Sequence, residues 1–180
     1  MRSITATGAI LLLASIVSVV PARSAAAAPQ KKKEYLSEAE AEKIRDAGDT
    51  GVRIALFAAF ASDRVKKIQY ELAHADPADR KRAERMNGLI NSYTGCIDDA
   101  ADLIEIGIEK QQDIRAGVKL MESKIKEFLP YLHGLAENGA ERETYKSNLD
   151  DAIEATQDAA KDVEKATKET PSAPVRRKPT

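Results

Sequence analysis

Glu71 and His74 stand three residues apart, in Glu71-Leu72-Ala73-His74. On a helix this spacing places a carboxylate and an imidazole on one face, as in bundles that hold a pair of metal ions. Such centres need a second Glu-x-x-His element. Three residues before the other histidine, His133, stands Pro130. Glu71 and His74 are the metal-ligand candidates, with no second element to complete the set. His74 also precedes Asp76-Pro77, where an imidazole suits the negative end of a helix dipole. Haem is the other cofactor that bundles hold. The Cys-x-x-Cys-His attachment motif is absent, and axial ligation would draw on His133 with Met86, Met121 or His74. Scattered methionines at helical spacing read as core filler. The expectation is a chain without metal or cofactor, and a metal- or haem-binding bundle is the alternative.

Arg80, Lys81, Arg82 and Arg85 form a basic cluster, with Lys66 and Lys67 within reach across a hairpin. Cations at a helix start oppose the dipole. They mark a patch for an anionic partner, unless Asp76 and Asp79 compensate them. Two acidic runs follow helical spacing: Asp98, Asp102, Glu105 and Glu109, then Asp151, Glu154, Asp158 and Asp162. They lack the glycine and carbonyl of a calcium loop and read as solvated faces. Cys96 is the only cysteine, so no internal disulfide forms. It reads as a small core residue, with a disulfide to a second chain, and so a homodimer, as the other reading. No Gly-x-Ser-x-Gly, no His-Glu-x-x-His and no phosphate-binding loop after a strand occurs. No enzymatic activity is expected.

The elements that carry these residues are helical. Trp is absent, 32% of residues are charged, and no stretch alternates with period two. Ser37-Glu38-Ala39-Glu40 is a capping box that starts a helix. Gly48-Asp49-Thr50-Gly51 interrupts it. Ile54, Ala58, Ala61, Val65, Ile68, Leu72 and Ala75 then form a core stripe, widened by Phe57 and Phe60. Asp76-Pro77 predicts a boundary, with Asp76 capping a helix from about Ala78 to about Lys110. Its stripe is Leu89/Ile90, Tyr93, Cys96/Ile97, Ala100, Leu103/Ile104 and Gly107/Ile108. Gln111-Gln112-Asp113 suggests a turn, with a continuous helix as the other reading. The next stripe is Ile114, Val118, Met121, Ile125, Phe128/Leu129, Leu132 and Leu135, kinked at Pro130. Asn138-Gly139 suggests a left-handed C-cap. A last stripe runs from Tyr145 through Leu149, Ala152 or Ile153, Thr156, Ala159/Ala160 and Val163 to Ala166. Four long amphipathic helices with short turns predict an all-α, up-down antiparallel bundle, of coiled-coil character.

The first 28 residues read as a signal peptide. Arg2 precedes an apolar run from Ile10 to Val20, then Pro21 and the alanines Ala25 to Ala28. The run is shorter than the roughly 17–25 residues a spanning helix needs. The expected organisation is 1–28 signal peptide, 29–36 linker, 37–169 helical bundle and 170–180 disordered basic tail. Of the 28 basic residues, two lie in the signal and six in the flanks, leaving 20 against 29 acidic ones, a net charge of −9. An acidic body argues against specific nucleic-acid binding.

The segment Gly51-Val52-Arg53-Ile54-Ala55-Leu56-Phe57-Ala58-Ala59-Phe60-Ala61-Ser62-Asp63-Arg64-Val65, ahead of Tyr93 and Asp98-Asp99, resembles exported all-helical bacterial proteins of unknown function. The resemblance could span most of residues 37–169 and implies no activity and no functional residue. The sequence thus points to an exported, periplasmic or extracellular protein. Its expected role is non-catalytic: binding an envelope protein or polymer, or structural, without spanning the membrane once the signal is removed.

Overall fold

The computed structural model describes residues 35–76 and 78–169. The signal-peptide segment, residues 29–34 of the expected linker, Pro77 and the basic tail lie outside the described residues. Every regular element among those described is helical. Helix α1 spans Glu38–Asp46, α2 Thr50–Ala73, α3 Arg82–Glu109, α4 Arg115–Asn138 and α5 Lys146–Glu169. A 3-10 turn, Arg142–Thr144, precedes α5. No described helix is long and apolar enough to cross a membrane.

The capping box forms as its residue types require. The Glu40 amide donates to Ser37 Oγ at 3.3 Å, and the Ser37 amide donates to the Glu40 carboxylate at 2.9 Å. The two-glycine segment breaks the chain between α1 and α2. Asp49 then caps α2 by accepting from the Val52 amide at 3.1 Å. The bundle begins earlier than expected, because Leu36 is buried and Tyr35 packs on α3. Residues 35 and 36 thus belong to the folded body and not to a linker.

The four apolar stripes meet in one core. Ile54, Ile68, Ile90, Ile97, Ile104, Met121 and Leu132 are fully buried. Leu72, Leu89, Leu103, Ile108 and Leu129 flank them, partly exposed. Non-directional burial of such side chains is the main stabilising term. The packed pairs are α2–α3, α3–α5, α5–α4 and α4–α2. Chain neighbours therefore lie side by side for α2–α3 and α4–α5, while α3 and α4 stand diagonally across the bundle, an arrangement the stripe pattern leaves open. α3 and α4 meet across the core, where the Tyr93 and Phe128 rings cross edge to face at 5.4 Å. The diagonal crossing makes α3 and α5 parallel neighbours: Asn87 reaches Asn148, and further along Tyr93 reaches Thr156.

Two local expectations change. Asp76 does not cap α3. It accepts from the Ala78 amide at 2.8 Å, and Asp79 accepts from the Lys81 amide at 2.9 Å. Two successive Asx turns of this kind compete with helical hydrogen bonds, so α3 starts at Arg82. Gly139 is extended, with φ −64° and ψ 136°, and is no left-handed cap. Crowding explains the glycine, since a Cβ there would lie 2.5 Å from Tyr145 Oη. Pro130 lies inside its helix as expected, and α4 continues through it. Near Gln111 the two helices are separate, joined through Gln111 at φ 52°.

A hydroxyl chain crosses the core between the parallel helices. Tyr93 Oη donates to Thr156 Oγ1 at 2.8 Å, which donates to the Ala152 carbonyl at 2.6 Å. Burial pushes the Tyr93 phenol well above its ordinary pKa. Thr156→Val is expected to cost about 1–3 kcal/mol, because it strands a buried phenol. Tyr93→Phe leaves Thr156 its carbonyl acceptor, and about 0.5–1.5 kcal/mol is expected. Urea melts of the two variants check the order.

Candidate functional site

The turn between α2 and α3 collects most of the candidate residues. Glu71 leaves its helix toward Arg85, whose Nε and Nη2 donate to the two carboxylate oxygens at 3.1 and 2.9 Å. This guanidinium holds the Glu71 carboxyl below its usual range. His74 faces elsewhere. Its ring stacks on Tyr70 at 4.1 Å, and Nδ1 donates to the Tyr70 carbonyl at 2.9 Å. Glu71 and His74 share a helix end but do not converge on one point. Among the described residues no three His, Cys, Asp or Glu side chains are grouped to hold a metal ion. Met86 and Met121 are buried in the core while His74 and His133 are exposed, so no pair of haem ligands comes together.

The basic cluster divides into two kinds of residue. Arg82 is buried, pairs with Glu141, and donates to the Glu71 carbonyl at 3.3 and 3.4 Å. It ties the α4–α5 loop to the start of α3. Arg85 is engaged by Glu71 and by Asp79 at 2.6 Å. Arg82 and Arg85 are therefore structural, which corrects half of the expected anionic-partner patch. Arg82 meets Glu141, 59 residues away, whereas Arg85 meets Glu71 across the hairpin and also Asp79, six residues away, one of the two carboxylates expected to compensate the cluster. Lys67 pairs with Asp63 at 2.7 Å. Lys66, Arg80 and Lys81 make no ion pair among the described residues.

Beside Lys66 and Lys67 runs an open groove of about 610 Å³ on the α2–α3 seam. Its walls include Lys66, Tyr70, Arg85 and Leu89. Gly88 adds no side chain to it, and nothing lies within 4 Å of where its Cβ would stand. Tyr70 is 62% exposed, the most open large apolar side chain described. An aromatic face with cations at its edge suits an anionic ligand that also carries apolar surface. Sequence reading located the cations but not Tyr70, whose exposure depends on where the α2 stripe ends.

The two acidic runs become one face, because α3 and α5 are parallel neighbours. Burial, then the Asp102 charge, pushes the Asp98 carboxyl up. Burial, then Glu105, does the same for Asp162. Glu40 behaves in the opposite way. Hydrogen bonds from Arg64 and Ser37 hold it at about 2. The signs give a pH profile. The raised groups disfavour the fold at neutral pH, and that cost disappears as they protonate in mild acid. The Glu40 contribution is complete above its unfolded pKa near 4.5 and is lost as pH falls toward about 2. Thermal melts from pH 7 downward are expected to show a small rise in Tm and then a steep fall below about pH 4.5.

Cys96 is fully buried. A disulfide to a second chain would require this thiol to become exposed.

The chain matches no family model, no curated protein and no solved structure. The resemblance to exported helical proteins rests on the quoted residues alone.

Proposed function

We propose that this protein is a non-catalytic binding component of the cell envelope, exported by its N-terminal segment, whose α2–α3 groove takes an anionic partner. The observation that carries the reading is the groove itself. Tyr70 stands open at its wall with Lys66, and Lys66 makes no ion pair among the described residues; Arg80 and Lys81, exposed on the α2–α3 turn, make none either. Recognition there is surface binding with no bond-making step. Attraction between exposed charges is screened by salt, so affinity should fall as ionic strength rises.

Charge reversal tests this. The triple variant Lys66→Glu, Arg80→Glu, Lys81→Glu touches no core residue and no described ion pair. Wild-type protein on a resin is expected to retain an anionic envelope polymer at low salt and release it at high salt. The triple variant is expected to lose that retention. Equal retention by both proteins overturns the groove as the binding surface. Export has its own readout: N-terminal sequencing of native protein should begin between Ala25 and Gln30, and an intact Met1 overturns it.

A further inference from the structure

Helix α1 contributes no buried residue and packs principally on α2. Its attachment is concentrated at a few points. Arg64 on α2, 6% exposed, donates through both terminal nitrogens to Glu40, at 2.6 and 2.7 Å. Arg64 also donates to the Tyr35 carbonyl at 3.2 Å. The Tyr35 ring lies against Gly95 on α3, so close that a Cβ there would come within 2.8 Å of it. Leu36 is buried beside it. The chain then leaves through Ala47, extended at ψ 108°, and Gly48, which has open space around it.

Two features make this contact poised and not fused with the core. Tyr35 Oη is buried without a hydrogen-bond partner in the closed state, and an unpartnered buried hydroxyl regains water on release. A bidentate carboxylate–guanidinium pair is directional, so small displacements lose both hydrogen bonds together. Beneath the contact lie the Arg64 guanidinium and, on the residue after Gly95, the Cys96 thiol. Cys96 lies close enough to Arg64 that a thiolate there would be felt by the guanidinium.

We propose that residues 35–46 form a strap that opens as one unit, hinged at residues 47–49, while α2 to α5 stay folded. Opening uncovers the α2–α3 seam and presents Arg64 as a two-pronged receptor for a carboxylate, the position that Glu40 fills in the closed state. The groove begins about one helical turn further along the same seam, at Lys66, Lys67 and Ser92, and the strap contacts at Arg64 and Gly95 share no lining residue with it. Local opening of weakly buried units below the global unfolding free energy is a general property of folded chains.

Cys96 is the chain's only cysteine and reports on the strap without an added label. The test uses the full chain under native conditions and a thiol reagent such as dithionitrobenzoate. Glu40→Gln is expected to raise the Cys96 reaction rate at least about tenfold, with the helical circular-dichroism signal of the bundle retained. Glu141→Ala loosens the bundle at the α4–α5 loop and the start of α3, away from the strap. It is expected to change the rate less than about twofold at a temperature well below its melting point. Hydrogen exchange of wild-type protein should show α1 amides exchanging through an opening insensitive to low urea, unlike those of α2 to α5. Equal acceleration by both variants would mean that the thiol is reached only by global unfolding, and it overturns the strap. So does an unchanged rate in Glu40→Gln, or exchange of α1 in step with the core.

Discussion

Gly117→Ala is expected to destabilise the fold by about 3 kcal/mol, the upper end for overpacking a tight contact. A Cβ at this position would stand 2.5 Å from the Gly51 carbonyl oxygen and 2.9 Å from Ile54 Cβ. One of these is backbone and the other is the rigid base of a branched side chain. Neither can swing aside, so α2 and α4 would have to separate. Gly134→Ala is the matched control on the same helix. Nothing lies within 4 Å of its would-be Cβ, and the position is exposed. There alanine only removes the backbone-entropy cost of a helix-interior glycine, and a gain of about 0.5–1 kcal/mol is expected. Urea titration of both variants reads the contrast. Shifts of the same sign would contradict the close α2–α4 crossing.

The second large effect is expected at Glu141. Its backbone is left-handed, at φ 57°, and its carboxylate pairs with buried Arg82. Glu141→Ala should cost about 2–3 kcal/mol, since it leaves a buried guanidinium with only a carbonyl for a partner and keeps the strained backbone. The Glu141 carboxylate is half exposed, which holds the figure below that of a wholly buried pair. Glu141→Gly removes the same carboxylate but relieves the left-handed strain. It should be more stable than the alanine variant by about 1 kcal/mol. Melts of the two variants separate the ion pair from the backbone term. If alanine and glycine behave alike, the turn is not left-handed in solution.

Much of the candidate site was legible as residue types but not as partnerships. Arg82 and Arg85 were visible as cations at a helix start. Asp79 was in view as a compensating carboxylate for Arg85, but the pairs with Glu141 and Glu71 form only when the α4–α5 loop and the α2–α3 hairpin close. Glu40 was legible as half of a capping box, because its partner lies three residues away. Its second bond, to Arg64, spans 24 residues and left no periodic signal. The same holds for Tyr70, whose neighbours in sequence say nothing of how open its ring stands.

What the sequence by itself determined is what depends on short range and on period. The stripes from Ile54 to Ile68, from Ile90 to Ile104, from Val118 to Leu135 and from Leu149 to Ala166 all face the core. The start of α1 and the break at Gly48 to Thr50 followed from capping and glycine chemistry. The tertiary structure alone decided which helix lies beside which. An apolar stripe says that a face is buried, yet hydrophobic burial is non-directional and does not name the covering helix. The link from α3 to α4 runs across the bundle because Ile114 is buried against Gly107, and Gly51 and Gly117 let α2 and α4 approach closely. These are contacts of shape, made by small residues and one large one far apart in the chain. They bring two acidic runs onto one face, pair Tyr93 with Thr156, and leave α1 attached through the Arg64–Glu40 pair and a few apolar contacts without a buried residue of its own.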